Sequence, residues 1–245
     1  GSLRCSECDV EYEIHEGIIF VGEKKELIME GYEALITKII TDSATEELLN
    51  INNAISWVSK KLRENINKST ILEVGSGLGL LLRHIYDDLS ENNIYIVVND
   101  NIYEHYFIKQ LLEEIEGEKN VLFICSNYTN LPLLKGCADI VLDICPSIQY
   151  TDNTASNIVV LNDYVQSNSL FIASYLLLNK MTSVEDEKGH FMLDQLKEEI
   201  KNQGYSVVNE RLIGIKNKNS NRLIDKNTKI YNYMFVGKRL DDNTI

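Results

Sequence analysis

Three glycines at alternate positions, Gly75, Gly77 and Gly79, follow the apolar run 71–74 (Ile-Leu-Glu-Val) and mark the first place where this chain can do chemistry. The run reads as a short buried strand. The glycines let the backbone turn tightly and approach a ligand without Cβ clashes. Beyond them Leu81, Leu82, Ile85 and Leu89 recur at helical spacing. A strand feeding a helix through such a turn presents backbone N–H groups to a nucleotide-like ligand. The alternative is a turn that merely packs helix closely on strand. The spacing Glu-x-Gly-x-Gly-x-Gly differs from the Gly-x-Gly-x-x-Gly of dinucleotide sites.

The elements that must hold this turn alternate regularly. Residues 94–98 form a continuous apolar run, as in a strand buried on both faces. Tyr103, Phe107, Ile108, Leu111, Leu112 and Ile115 make one helical stripe. Strands are expected at 121–125, 138–144 and 170–178, with helices at 155–166 and 191–201. Two last strands, 205–215 and 230–237, are joined by a polar hairpin connection. Strand–helix alternation implies a parallel sheet with helices on both faces, and a closing hairpin makes the last strand antiparallel. The expected fold is therefore α/β: a Rossmann-like, seven-stranded, mostly parallel sheet preceded by a helical cap. That cap carries two amphipathic stripes, one through Ile28, Tyr32, Leu35 and Ile39, the other through Leu48, Ile51, Ile55, Val58 and Leu62. The division is 1–22 for an amino-terminal cysteine segment, 23–68 for the cap, 69–240 for the main domain and 241–245 for a tail.

From about residue 71 to 239 the chain resembles the class I S-adenosylmethionine (SAM)-dependent methyltransferases, on motifs that fall in order. The resemblance implies that Gly75, Ser76, Gly77 and Gly79 lie under the methionine part of SAM, and that Glu73 stands near its cationic amine. It implies a ribose-binding acid at Asp100, with Asn99 as the alternative register. Asn101 and Ile102 then line the adenine pocket. An Asp in a strand-to-helix turn also serves as an N-cap, which is the structural alternative for Asp100. The stretch Ser126-Asn127-Tyr128-Thr129-Asn130-Leu131-Pro132 is similar to the family's Gly-Asp-Ala-x-x-Leu-Pro. Asn127 replaces the usual Asp, and its side-chain oxygen can still accept from an adenine amino group. Tyr128 would lie beside the ring. Asp139 opens a strand similar to the family's Phe-Asp-x-Val, and Asp143 lies near that strand's end, where ligands bind in such sheets. Asp143, Tyr150 and His190 are the candidate catalytic residues, with Ile144 and Cys145 beside them. Glu30, Tyr32 and Trp57 of the cap are weaker candidates to face ligand.

The implied activity is direct methyl transfer to a small-molecule acceptor. Alternatives are transfer to RNA, peptide or protein, and a silent SAM-binding module. A net charge of −13 argues against general nucleic-acid binding, and no apolar run reaches membrane-spanning length. Five cysteines in 245 residues do not make a disulfide scaffold, so a reducing cytoplasm is expected. Gly1-Ser2 reads as a cloning remnant. Cys5-Ser6-Glu7-Cys8, followed by Tyr12-Glu13-Ile14-His15-Glu16-Gly17-Ile18, resembles half of a small zinc-binding segment found before many bacterial SAM methyltransferases. Zinc at Cys5 and Cys8 would need further ligands, since a structural site takes four.

Overall fold

Ten strands form one sheet among the described residues of the protein, a computed structural model that covers 1–6, 8–21, 45–127, 131–144, 154–180, 186–215 and 228–241. They are β1 (Ser2–Arg4), β2 (Glu11–His15), β3 (Ile18–Phe20), β4 (Thr70–Val74), β5 (Ile94–Asn99), β6 (Val121–Cys125), β7 (Ala138–Ile144), β8 (Val165–Lys180), β9 (Tyr205–Ile215) and β10 (Thr228–Arg239). The helices are α1 (Thr45–Arg63), α2 (Leu80–Ile85), α3 (Ile102–Glu113), α4 (Thr154–Asn162) and α5 (Asp186–Asn202).

The strand order is β1-β2-β3-β6-β5-β4-β7-β8-β10-β9. Its seven-strand part, β6-β5-β4-β7-β8-β10-β9, is the sheet read from the sequence. β4 lies centrally and pairs in parallel with β5 and β7. β10 runs antiparallel to both β8 and β9. The expectation of seven strands is corrected to ten, because the amino-terminal segment joins the same sheet. β3 pairs in parallel with β6, Ile18 opposite Phe123, and β1 and β2 follow as antiparallel neighbours. His15 Nδ1 meets the Tyr106 hydroxyl at 3.2 Å, and Lys109 Nζ donates to the Glu16 carbonyl, so α3 secures the extension.

Strand alternation divides the core into two faces. Ile71, Tyr95, Val97, Leu142 and Ile172 point to one, against Val58 and Leu62 of α1, Leu82 and Ile85 of α2, and Ile108 of α3. Leu72, Val98, Val141, Phe171 and Tyr175 point to the other, against Ile158 and Leu161 of α4 and Leu196 and Ile200 of α5. α1 is further tied to the sheet through buried amides. Ser174 Oγ donates to Asn232 Oδ1 at 2.8 Å, and Asn232 Nδ2 to Asn50 Oδ1 at 3.3 Å.

Several boundaries differ from the sequence reading, and α5 begins at Asp186 rather than 191. α4 stops at Asn162 rather than 166, because the Tyr164 amide closes back on Leu161 and the Tyr164 carbonyl accepts from Ala138. β8 therefore begins at Val165, and its register against β7 shifts between Ala138 and Ile140. The expected first cap helix and the expected connection between β9 and β10 lie outside the described residues.

Candidate functional site

The ends of β4, β5 and β6 meet at one edge of the sheet, the edge where open α/β sheets bind ligands. After β4 the chain passes through Gly75, Gly77 and Gly79 at φ of 67°, 53° and 69°, a region that only glycine enters without strain. The three glycines do different work. A Cβ at Gly75 or Gly77 would meet nothing within 4 Å, so both border open space. A Cβ at Gly79 would lie 2.6 Å from Ile108 Cγ1. Gly79 is thus the close-packing glycine, and Gly75 and Gly77 leave the room a ligand needs. The amides of all three are engaged within the fold: Gly75 N–H donates to Val98 O, Gly79 N–H to Ser76 O, and Gly77 N–H to Asn99 Oδ1.

Asn99 is the last residue of β5, and its buried side chain grips the turn. Its Nδ2 donates to Ser76 Oγ at 2.9 Å, and its Oδ1 accepts from Gly77 N–H at 3.3 Å. Asp100 comes next and is exposed at the bend. Asn99 is therefore the structural member of the pair and Asp100 the one presented at the edge. The helix-capping role belongs to Asn101, whose side chain accepts from Tyr103 N–H at 3.0 Å. That bond commits the Asn101 side chain to α3, while Ile102 is buried in its first turn. After β6, Ser126 N–H donates to Asn99 O at 2.9 Å, and exposed Asn127 follows. Tyr128 lies outside the described residues.

Glu73 lies near the end of β4, just before the glycine turn. It is 2% exposed on the α1–α3 face and accepts from the Tyr95 hydroxyl at 2.9 Å. Burial pushes its carboxyl up to about 7, against the opposing effect of the Tyr95 hydrogen bond. Asp143 is also buried, on the opposite face, and its Oδ2 accepts from the Tyr175 hydroxyl at 2.7 Å. Tyr150 and Cys145 lie outside the described residues. So does the His190 side chain, although its backbone belongs to α5. Glu30 and Tyr32 lie outside as well, and Trp57 packs partly buried against the α1–α3 core.

Two residues here escaped the sequence reading. Glu104, in the first turn of α3, has its carboxyl raised to about 7 by partial burial and then by the charge of Asp100. Its signal is the four-residue spacing from Asp100 along a helix start. His105 is fully buried, with Nε2 at 3.1 Å from Ile124 O and 3.3 Å from Asn99 O.

The zinc expectation finds no support among the described residues. Cys5 and Cys8 sit at the tip of the β1–β2 hairpin, which the Arg4–Asp9 ion pair and the Cys5 N–H to Val10 O bond close. Among the described residues no group of three or more His, Cys, Asp or Glu side chains is placed to hold a metal ion. His15, seven residues beyond Cys8, faces Tyr106 instead. Two thiols do not make the four-ligand set of structural zinc.

No protein-family model and no curated protein matches the sequence. Solved structures do match the fold, and the matched proteins include SAM-dependent methyltransferases. A protein described as a putative methyltransferase from Bacillus halodurans superimposes with a TM-score of 0.53 at 7% identity, over 71% of this chain and 93% of its own. A geranyl diphosphate methyltransferase in complex with its substrate and sinefungin gives 0.54 at 11% identity, over 76% and 79%. The [4+2]-cyclase SpnF gives 0.52 at 10% identity, over 70% and 74%. The chain therefore has the class I methyltransferase fold, extended by three strands. No helix among the described residues is long and apolar enough to cross a membrane.

Proposed function

We propose that this protein is a SAM-dependent methyltransferase acting on a small-molecule acceptor. One observation carries the reading: at the shared edge of β4, β5 and β6, two open glycines stand beside an exposed acid that the buried Asn99 sets in place. Gly75 and Gly77 leave room for the backbone-hugging part of the cofactor, with Ser76 between them. Asp100 accepts the two ribose hydroxyls in charge-assisted hydrogen bonds. Ile102 supplies an apolar wall and Asn127 an acceptor for the nucleobase. SAM, when bound, supplies a methyl group already activated on a sulfonium. The residues then need only hold the acceptor in line and exclude water. Asp143, with Tyr175 on its carboxylate, belongs to the floor at the end of β7. It is the candidate base if the acceptor is an alcohol. The cysteine usage fits a cytoplasmic setting.

A second reading is favoured by the [4+2]-cyclase on the same fold. In this reading this protein binds SAM at the same edge but does not transfer its methyl group. The two readings separate in one experiment. The protein is incubated with SAM and fractionated small-molecule extract, and release of S-adenosylhomocysteine (SAH) is followed with time. Acceptor-dependent SAH release supports the methyltransferase. SAM binding with no release from any fraction supports the second reading.

A further inference from the structure

We infer that His105 is a positioning residue that clamps the ends of β5 and β6, so that Asp100 and Asn127 face one ligand from fixed places. The inference rests on the cofactor site proposed above and adds to it a residue that no motif marks.

His105 lies in the second turn of α3, wholly buried beneath the strand ends. Its Nε2 reaches two backbone carbonyls on neighbouring strands, Asn99 O at 3.3 Å and Ile124 O at 3.1 Å. A carbonyl only accepts, so Nε2 must carry the proton, and the neutral ring donates one N–H to both. Nδ1 is then the bare acceptor nitrogen, buried and with no hydrogen-bond partner among the described residues. A second proton there would have no acceptor, and burial holds the imidazole down to about 4. The ring is therefore a neutral, one-proton clamp across the ordinary physiological range.

The clamp is part of a continuous chain of bonds. Asn99 O also accepts from Ser126 N–H, and the Asn99 side chain grips Ser76 and Gly77. The three segments that carry the proposed cofactor contacts (the glycine turn, the tip of β5 and the tip of β6) thus converge on Asn99 and His105. The edge of the His105 ring rests against Phe123, with centroids 5.8 Å apart at 85°. That contact fixes the ring plane on the same strand, β6, whose carbonyl it holds. The arrangement costs an unpaired buried nitrogen, which plain packing would avoid by placing an apolar residue here.

The test compares the parent with His105→Phe, which keeps an aromatic ring but deletes the donor, and His105→Gln, which keeps a donor. Amide hydrogen exchange is followed by NMR at Gly77 and Ser126, and SAH affinity by calorimetry. In His105→Phe, both amides should exchange at least about tenfold faster than in the parent, while amides in the β8–β10 ladder keep their protection. SAH affinity should fall by about tenfold. His105→Gln should recover most of both losses. Unchanged exchange in His105→Phe overturns the clamp. Faster exchange with parental SAH affinity overturns its positioning role. Equal losses in both variants reduce His105 to a packing residue and also overturn the inference. If the folded parent fails to bind SAH, the cofactor reading fails, and the exchange rates alone still decide the clamp.

Discussion

Glu73→Gln is expected to stabilise the folded protein at alkaline pH and to leave it unchanged at acid pH. The carboxyl is 2% exposed and bonded to the Tyr95 hydroxyl, and burial raises it from 4.5 to about 7. In this pH range the folded state holds a proton that the unfolded state has released. Stability is therefore fully present below about pH 4.5 and is lost as pH rises towards and through 7. At about 1.4 kcal/mol for each tenfold in proton affinity, the whole loss is about 3 kcal/mol. Gln keeps an oxygen for the Tyr95 hydroxyl and removes the titration. Urea unfolding of parent and variant at pH 4.5, 6, 7 and 8 gives the difference directly, and other titrating groups cancel. The variant should match the parent at the lowest pH and gain up to about 3 kcal/mol at the highest. A difference that does not change with pH would show that Glu73 is not a buried neutral acid, and the reasoning would fail.

Three further outcomes follow from the same geometry. Gly79→Ala combines a strained positive φ with a Cβ pressed on Ile108, and should cost about 3 kcal/mol. Gly75→Ala carries the strain alone and should cost about 1 kcal/mol in parallel urea titrations. His105 behaves with the opposite sign to Glu73. Its folded value lies below the ordinary 6.5, so stability should fall as pH drops from 6.5 towards 4, and His105→Phe should flatten that part of the profile. Asp139 accepts from Thr70 N–H at 2.8 Å at the far end of β7. Asp139→Ala should therefore cost about 1 kcal/mol of stability by chemical denaturation and leave SAH affinity at the parental value.

The central strands were legible because their signal is local. Continuous apolar runs at 71–74, 94–98, 121–125 and 138–144 belong to strands buried on both faces, and each became a strand within a residue or two. The glycine turn was legible as well, but not the division of labour within it. That Gly79 packs while Gly75 and Gly77 stay open depends on Ile108, far along the chain. The amino-terminal strands escaped because their pairing is non-local. Ile18 of the short apolar β3 meets Phe123, far along the chain, and β1 is exposed along its length, so the brevity of one and the exposure of the other hide the pairing. Asn99 and His105 were obscured for a related reason. A polar residue looks alike in sequence whether it faces solvent or grips a distant backbone. In hindsight Ile102, His105, Ile108 and Leu112 form the buried stripe of α3. The apolar residues alone had rotated that stripe towards Tyr103 and Phe107. Glu73 matched its motif in sequence, but its bond to the Tyr95 hydroxyl was not legible there, because the partner lies on the neighbouring strand.

The most direct measurement is a calorimetric titration of SAH into the parent protein and into Asp100→Ala. The parent should bind one equivalent with micromolar affinity, about −8 kcal/mol. Losing a carboxylate that accepts two ribose hydroxyls costs about 1.5–3 kcal/mol for each bond. Asp100→Ala should accordingly bind at least about tenfold more weakly, with its unfolding transition unchanged. A folded parent that gives no binding heat, or an Asp100→Ala variant that binds as the parent does, would contradict a cofactor site at the edge of β4, β5 and β6.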